Sequence, residues 1–106
     1  MLPELTGCDD EMRDEFLSDF RATLGEARSE LLAALQAAQA GVLASAAHRV
    51  KSSARYMGAM PLGQLCEQLE QAGDRADLAA ARGLLAQWQA ESLRVEGFIA
   101  SHLGLA

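Results

Sequence analysis

Apolar side chains recur at three- and four-residue intervals in four successive stretches of this chain, and that period constrains the fold more than any other feature. Residues three and four apart share one face of an α-helix, so each stretch carries a single apolar stripe that must be covered by another element. Met12, Phe16, Phe20, Leu24, Ala27, Leu31 and Leu35 make the first stripe. Asp9 and Asp10 ahead of it offer N-cap oxygens, and Ala-rich sequence continues to Gly41, a residue suited to a helix stop. The spacing predicts one long helix over 10–40, or two abutting near Gly25. A second helix is expected over 42–57, ending at Gly58, which can adopt the left-handed conformation that closes many helices. Pro61 suits the first turn of a third helix over 61–72, with Gly73 as its end. Asp74 then caps a fourth over 75–102, whose stripe of Leu78, Ala81, Leu85, Trp88, Val95 and Ile99 is interrupted at Ser92.

Ala and Leu dominate the apolar residues, Val and Ile are sparse, and aromatics make up only 5% of the chain, a mix that favours helix over sheet. With 106 residues there is material for one core, so 1–106 reads as a single domain. Four amphipathic helices with short connections point to an all-α, antiparallel four-helix bundle, with the second and third helices as a hairpin.

The net charge of -6 argues against nucleic acid, whose phosphates demand a basic patch. The first twenty residues lack the basic and apolar blocks of a secretory signal, and no run approaches 18 apolar residues; a cytoplasmic location without membrane contact is expected. Cys8 and Cys66 show no metal-ligand spacing with each other or with His48 and His102, so both are read as reduced thiols, Cys66 as a structural one. No two helices carry the inward Glu and Glu-x-x-His pattern of metal bundles, which disfavours a metal or haem enzyme.

The chemistry-bearing residues lie in the second helix. With His48 at zero and about 100° per residue, Leu43, Val50, Ala54 and Met57 fall between about 180° and 240°, the core side, flanked by Ala46 and Ala47. Lys51, Ser52 and Arg55 fall at about 300°, 40° and 340°, so one exposed stripe carries His48, Lys51, Ser52 and Arg55. An imidazole of ordinary pKa, about 6.5, is largely neutral near pH 7 and offers a ring lone pair as nucleophile. Lys51, one turn away, can offset the charge of a phosphoryl group on that ring, and Arg55 can extend the field toward an anionic partner. Spacing alone also allows a merely solvated face here, and a cation at His102 simply complements the helix dipole.

The run Ala47-His48-Arg49-Val50-Lys51-Ser52-Ser53-Ala54-Arg55-Tyr56-Met57-Gly58-Ala59, continued by Leu62, Leu65-Cys66 and Leu69-Glu70, resembles the histidine-containing phosphotransfer (HPt) domain of multistep two-component signalling. The match is detailed over residues 46–70. It implies a four-helix bundle without autokinase activity, whose His48 accepts a phosphoryl group from a receiver-domain aspartyl phosphate and passes it to another receiver. The receiver would supply Mg²⁺, and this chain needs no cofactor or metal of its own. The family usually has Gly directly after the lysine, where this chain has Ser52; a side chain that small is expected to affect docking rate or partner choice modestly.

In the third helix Leu62, Leu65, Cys66, Leu69 and Ala72 form one stripe, and Glu70 falls about 100° from its centre, at the seam with a neighbouring helix. The resembling family often places a Glu or Gln there that hydrogen-bonds the imidazole. Glu70 is therefore expected to accept from Nδ1–H of His48 and leave Nε2 as the phosphoryl acceptor. Ser45, Ser52 and Arg55 are the expected rim of the partner interface. The expected partners are receiver domains, met as a monomer, either by a free-standing protein or by a piece of a hybrid sensor kinase. The alternative is a helical interaction module that binds its partner without carrying phosphate, in which case binding and output survive His48→Ala.

Overall fold

The computed structural model describes residues 5–104, with side chains from Met12 to Gly104. Four helices follow one another: α1 over Leu5–Gln36, α2 over Ala40–Tyr56, α3 over Met60–Asp74 and α4 over Leu78–His102. Each helix packs on its two neighbours around a ring, α1 on α2 and α4, α3 on α2 and α4, which is an antiparallel bundle. The pairing of α2 with α3 is the most extensive.

Several of the expected boundaries move. α1 begins at Leu5, so Asp9 and Asp10 stand inside it instead of capping it, and their side chains lie outside the described residues. It runs unbroken through Gly25 and ends at Gln36. Gly41 does not stop it. The chain reverses at Ala38, which takes φ 57°. Gln39 N–H bonds Ala34 O at 2.8 Å and Ala38 N–H bonds Leu35 O at 3.1 Å, the paired reverse bonds of a Schellman turn. The same pair recurs after α2, from Ala59 to Ala54 and Gly58 to Arg55, and after α3, from Asp77 to Ala72 and Ala76 to Gly73. Only the middle turn has glycine at the left-handed position, Gly58 at φ 80°; the third uses Ala76 at φ 55°. Gly73 therefore lies inside α3. Its role is close approach, since a Cβ there would stand 2.7 Å from Ala40 O and 2.9 Å from Ala44 Cβ. The cap of α4 is Asp77, which accepts from Ala80 N–H at 3.1 Å, and not Asp74, which belongs to α3.

The core follows the stripes with one shift. Among the described side chains of α1 the buried ones are Leu17, Phe20, Leu24, Ala27, Leu31, Ala34 and Leu35, so Leu17 replaces Phe16 in the seam and Met12 is 64% exposed. Leu17, Leu24 and Leu31 recur every seven residues, the period at which two packed helices stay in contact. Leu43, Val50 and Ala54 from α2, Leu62, Cys66 and Leu69 from α3, and Ala81, Leu85, Trp88 and Ile99 from α4 complete it, with Met57, Leu65, Leu78 and Val95 packed at its edges. Cys66 is a buried free thiol that accepts from Trp88 Nε1–H at 3.2 Å. Its burial pushes the thiol up to about 11, with the Trp88 hydrogen bond opposing. Cys8 lies outside the described side chains.

Candidate functional site

The α2–α3 seam carries the candidate site. Leu43, Ala44, Ala46, Ala47, Val50 and Ala54 of α2 are buried, which turns His48 outward with 60% of its side chain exposed. On α3, burial of Leu62, Cys66 and Leu69 rotates Glu70 to the edge of the helix, facing α2. There Glu70 Oε2 stands 2.8 Å from His48 Nδ1, and Glu70 Oε1 accepts from Lys51 Nζ at 2.7 Å. The carboxylate thus bridges the imidazole and the ammonium one turn apart on α2. His48, Lys51 and Glu70 are brought into one hydrogen-bonded group.

The bridge has an electrostatic consequence. The Lys51 hydrogen bond, reinforced by His48, holds the Glu70 carboxyl below its ordinary range against the opposing effect of partial burial. An ionised carboxylate can only accept hydrogen bonds. Nδ1 must then carry the proton, and in the neutral ring the lone pair falls on Nε2, on the exposed side. Lys51 keeps two further N–H donors beyond the one given to Glu70.

The expected rim residues spread along α2. Ser45 is exposed and shares a shallow hollow with Gly41, His48, Arg49, Glu70 and Asp74. Ser52 is exposed on the other side, in a hollow with Phe16, Ser53 and Tyr56. Arg55 is exposed and ion-paired with Glu67, and Arg49 is ion-paired with Glu30 of α1. His102 Nε2 lies 3.4 Å from Asp14 Oδ1, linking the end of α4 to α1.

Sequence reasoning missed two features. Phe16 packs edge-on against Tyr56 at 5.2 Å between ring centroids, and Tyr56 is 81% exposed, which lays aromatic surface beside Ser52. Period alone places Phe16 in the core, and its position one residue ahead of the seven-residue repeat of Leu17, Leu24 and Leu31 is the available signal. The second is a polar contact in the α1–α4 seam. Ser92 is fully buried, donates to Gln89 O at 3.0 Å and accepts from Arg28 Nη2 at 3.1 Å, while Arg28 also pairs with Glu96. The gap in the α4 stripe at Ser92 was its trace in the sequence.

The site is thus an outward imidazole held at one nitrogen by a carboxylate from the next helix. The family model described as the Hpt domain matches residues 11–97, a span that enters all four helices, and the chain belongs to that family. The crystal structure of histidine-containing phosphotransfer protein B (HptB) from Pseudomonas aeruginosa PAO1 is similar, with a TM-score of 0.87 and 28% sequence identity over 97% of this chain and 90% of that one. No curated protein matches the chain. The protein is a phosphotransfer relay intermediate of two-component signalling, and Hpt proteins interact with receiver domains. Among the described residues no helix is long and apolar enough to cross a membrane.

Proposed function

We propose that His48 is the phosphoryl acceptor, with Nε2 as the attacking atom. The observation that carries this reading is the 2.8 Å contact between Nδ1 and the Glu70 carboxylate beneath an exposed ring. In the step, the Nε2 lone pair forms the N–P bond as the acyl O–P bond of a receiver aspartyl phosphate breaks, and the aspartate leaves as carboxylate. The ring gains positive charge while Nδ1 keeps its proton, and Glu70 stabilises that charge as it develops. Lys51, anchored on Glu70, offers its remaining donors to the phosphoryl oxygens. Return of the phosphoryl group to a second receiver reverses the same step.

The Mg²⁺ that this chemistry needs is assigned to the receiver, and the chain acts as a carrier without autokinase activity. Ser45, Ser52 and Arg55 form the rim against the receiver, with the Phe16–Tyr56 rings as the adjoining apolar surface. The setting is a cytoplasmic monomer, or the same unit within a hybrid sensor kinase. Mixing the protein with a phosphorylated receiver and Mg²⁺ is expected to label it at an acid-labile site, with the phosphorus on Nε2 by nitrogen-edited NMR. His48→Gln is expected to abolish the label; full labelling of that variant excludes His48.

A further inference from the structure

Each lysine and arginine of α2 is neutralised by a glutamate from a neighbouring helix: Arg49 by Glu30, Lys51 by Glu70 and Arg55 by Glu67. The last two are successive rungs on one seam. Because α2 and α3 run antiparallel, moving four residues on along α2 from Lys51 to Arg55 moves three back along α3 from Glu70 to Glu67. The rungs differ in purpose, because Glu70 also holds the imidazole whereas Glu67 touches neither His48 nor Lys51 through any described hydrogen bond.

Arg55 shares the exposed stripe with His48, two turns away, roughly 10 Å along the axis. Its side chain nevertheless lies down over α3. Gly63 makes the bed: a Cβ there would stand 3.1 Å from Arg55 Cγ and 3.7 Å from Arg55 Nε. One turn further along α3, Glu67 Oε1 takes the guanidinium, and Glu67 Oε2 receives Gln71 Nε2 at 3.4 Å. Both members of the pair remain half exposed, 44% for Arg55 and 39% for Glu67, so water and incoming groups reach the contact.

We propose that Glu67 is an intramolecular cover for Arg55: it occupies in the free protein the cation that an acidic receiver face uses for docking, and the receiver must displace it. The inference rests on the receiver as partner. A receiver that carries phosphate on aspartate and binds Mg²⁺ presents carboxylates around that site, and against a chain of net charge -6 a local cation is what makes their approach favourable. Lys51 is committed to Glu70, 18% exposed, and Arg49 faces α1. Arg55 is the cation on the His48 stripe whose partner has no other task at the site. An exposed ion pair is weak, so its displacement reduces the receiver's apparent affinity by only about twofold to fivefold.

The test is the affinity of the unphosphorylated full chain for a Mg²⁺-loaded receiver domain that exchanges phosphate with it, measured by titration calorimetry at low and high salt. Arg55→Gln is expected to weaken binding by roughly fivefold at low salt, an effect that fades at high salt. Glu67→Gln is expected to tighten binding by about twofold to fivefold, and to do nothing in the Arg55→Gln background. Weaker binding on Glu67→Gln, or the same gain without Arg55, overturns the cover. The affinities need no phosphoryl transfer. Failure of His48 as acceptor would appear in the labelling experiment alone and leave this comparison to decide.

Discussion

Glu70 does two things with one carboxylate, and the balance between them sets what its replacement should do. Glu70→Gln keeps an oxygen for Nδ1–H but gives up the charge that Lys51 and a developing imidazolium both use; Glu70→Ala gives up the bond as well. Losing a charge-assisted hydrogen bond of about 1.5–3 kcal/mol should slow receiver-dependent labelling of Glu70→Ala by roughly ten- to a hundredfold, with Glu70→Gln intermediate. A rate for Glu70→Ala within twofold of wild type would remove the residue from the mechanism. The same contact gives a pH signature. The Glu70 carboxyl sits below its ordinary 4.5 in the folded protein, so its stabilisation is complete above that value and disappears as pH falls through the lowered one. Denaturant titrations of wild type and Glu70→Gln should differ near pH 7 and converge in acid; a gap that persists at pH 2 contradicts the linkage.

At the scale of the elements, three identical turns join the four helices, and only one of them uses the residue best suited to the position. Ala38 and Ala76 both take positive φ, where a Cβ is strained by about 1 kcal/mol or more. Ala38→Gly and Ala76→Gly should each raise stability by several tenths of a kcal/mol, the gain being limited because glycine also loosens the unfolded chain. Gly73→Ala should do the opposite, costing about 1–3 kcal/mol, because the added methyl must push the start of α2 away from α3. Urea midpoints of the three variants test both signs. The reversal explains why glycine misled at the boundaries: Gly41 and Gly73 are ordinary helical residues, and what selects glycine at Gly73 is a neighbouring backbone far away in sequence.

Across the whole molecule, the site and the seam that closes the bundle lie on different helix pairs. His48, Lys51 and Glu70 bridge α2 to α3, whereas Arg28, Ser92 and Glu96 bridge α1 to α4. Arg28 Nε is buried and lacks a hydrogen-bond partner, so Glu96 carries most of the compensation for that guanidinium. Removing it by Glu96→Ala should destabilise the fold by about 1–3 kcal/mol, while Arg28→Met with Glu96→Leu should recover much of the loss by replacing the pair with apolar packing. Thermal unfolding of the single and double variants tests this. Equal destabilisation by both would show that the pair, and not its imbalance, matters.

The sequence by itself determined the all-helical class, the stripe that faces the core in α2, α3 and α4, the outward direction of His48 and the seam position of Glu70. All of these follow from a period of 3.6 residues acting within one element. Tertiary structure decided the rest, because it depends on distances between elements. It shifted the α1 seam from Phe16 to Leu17 to match a seven-residue contact period, and it set Gly73 where α3 meets the start of α2 instead of at a turn. It also gave the Glu70 carboxylate to both His48 and Lys51, and laid Arg55 over Gly63 onto Glu67. A helical wheel fixes the direction in which a side chain leaves its helix. Which group waits at the other end of that direction is set by the packing of the next helix.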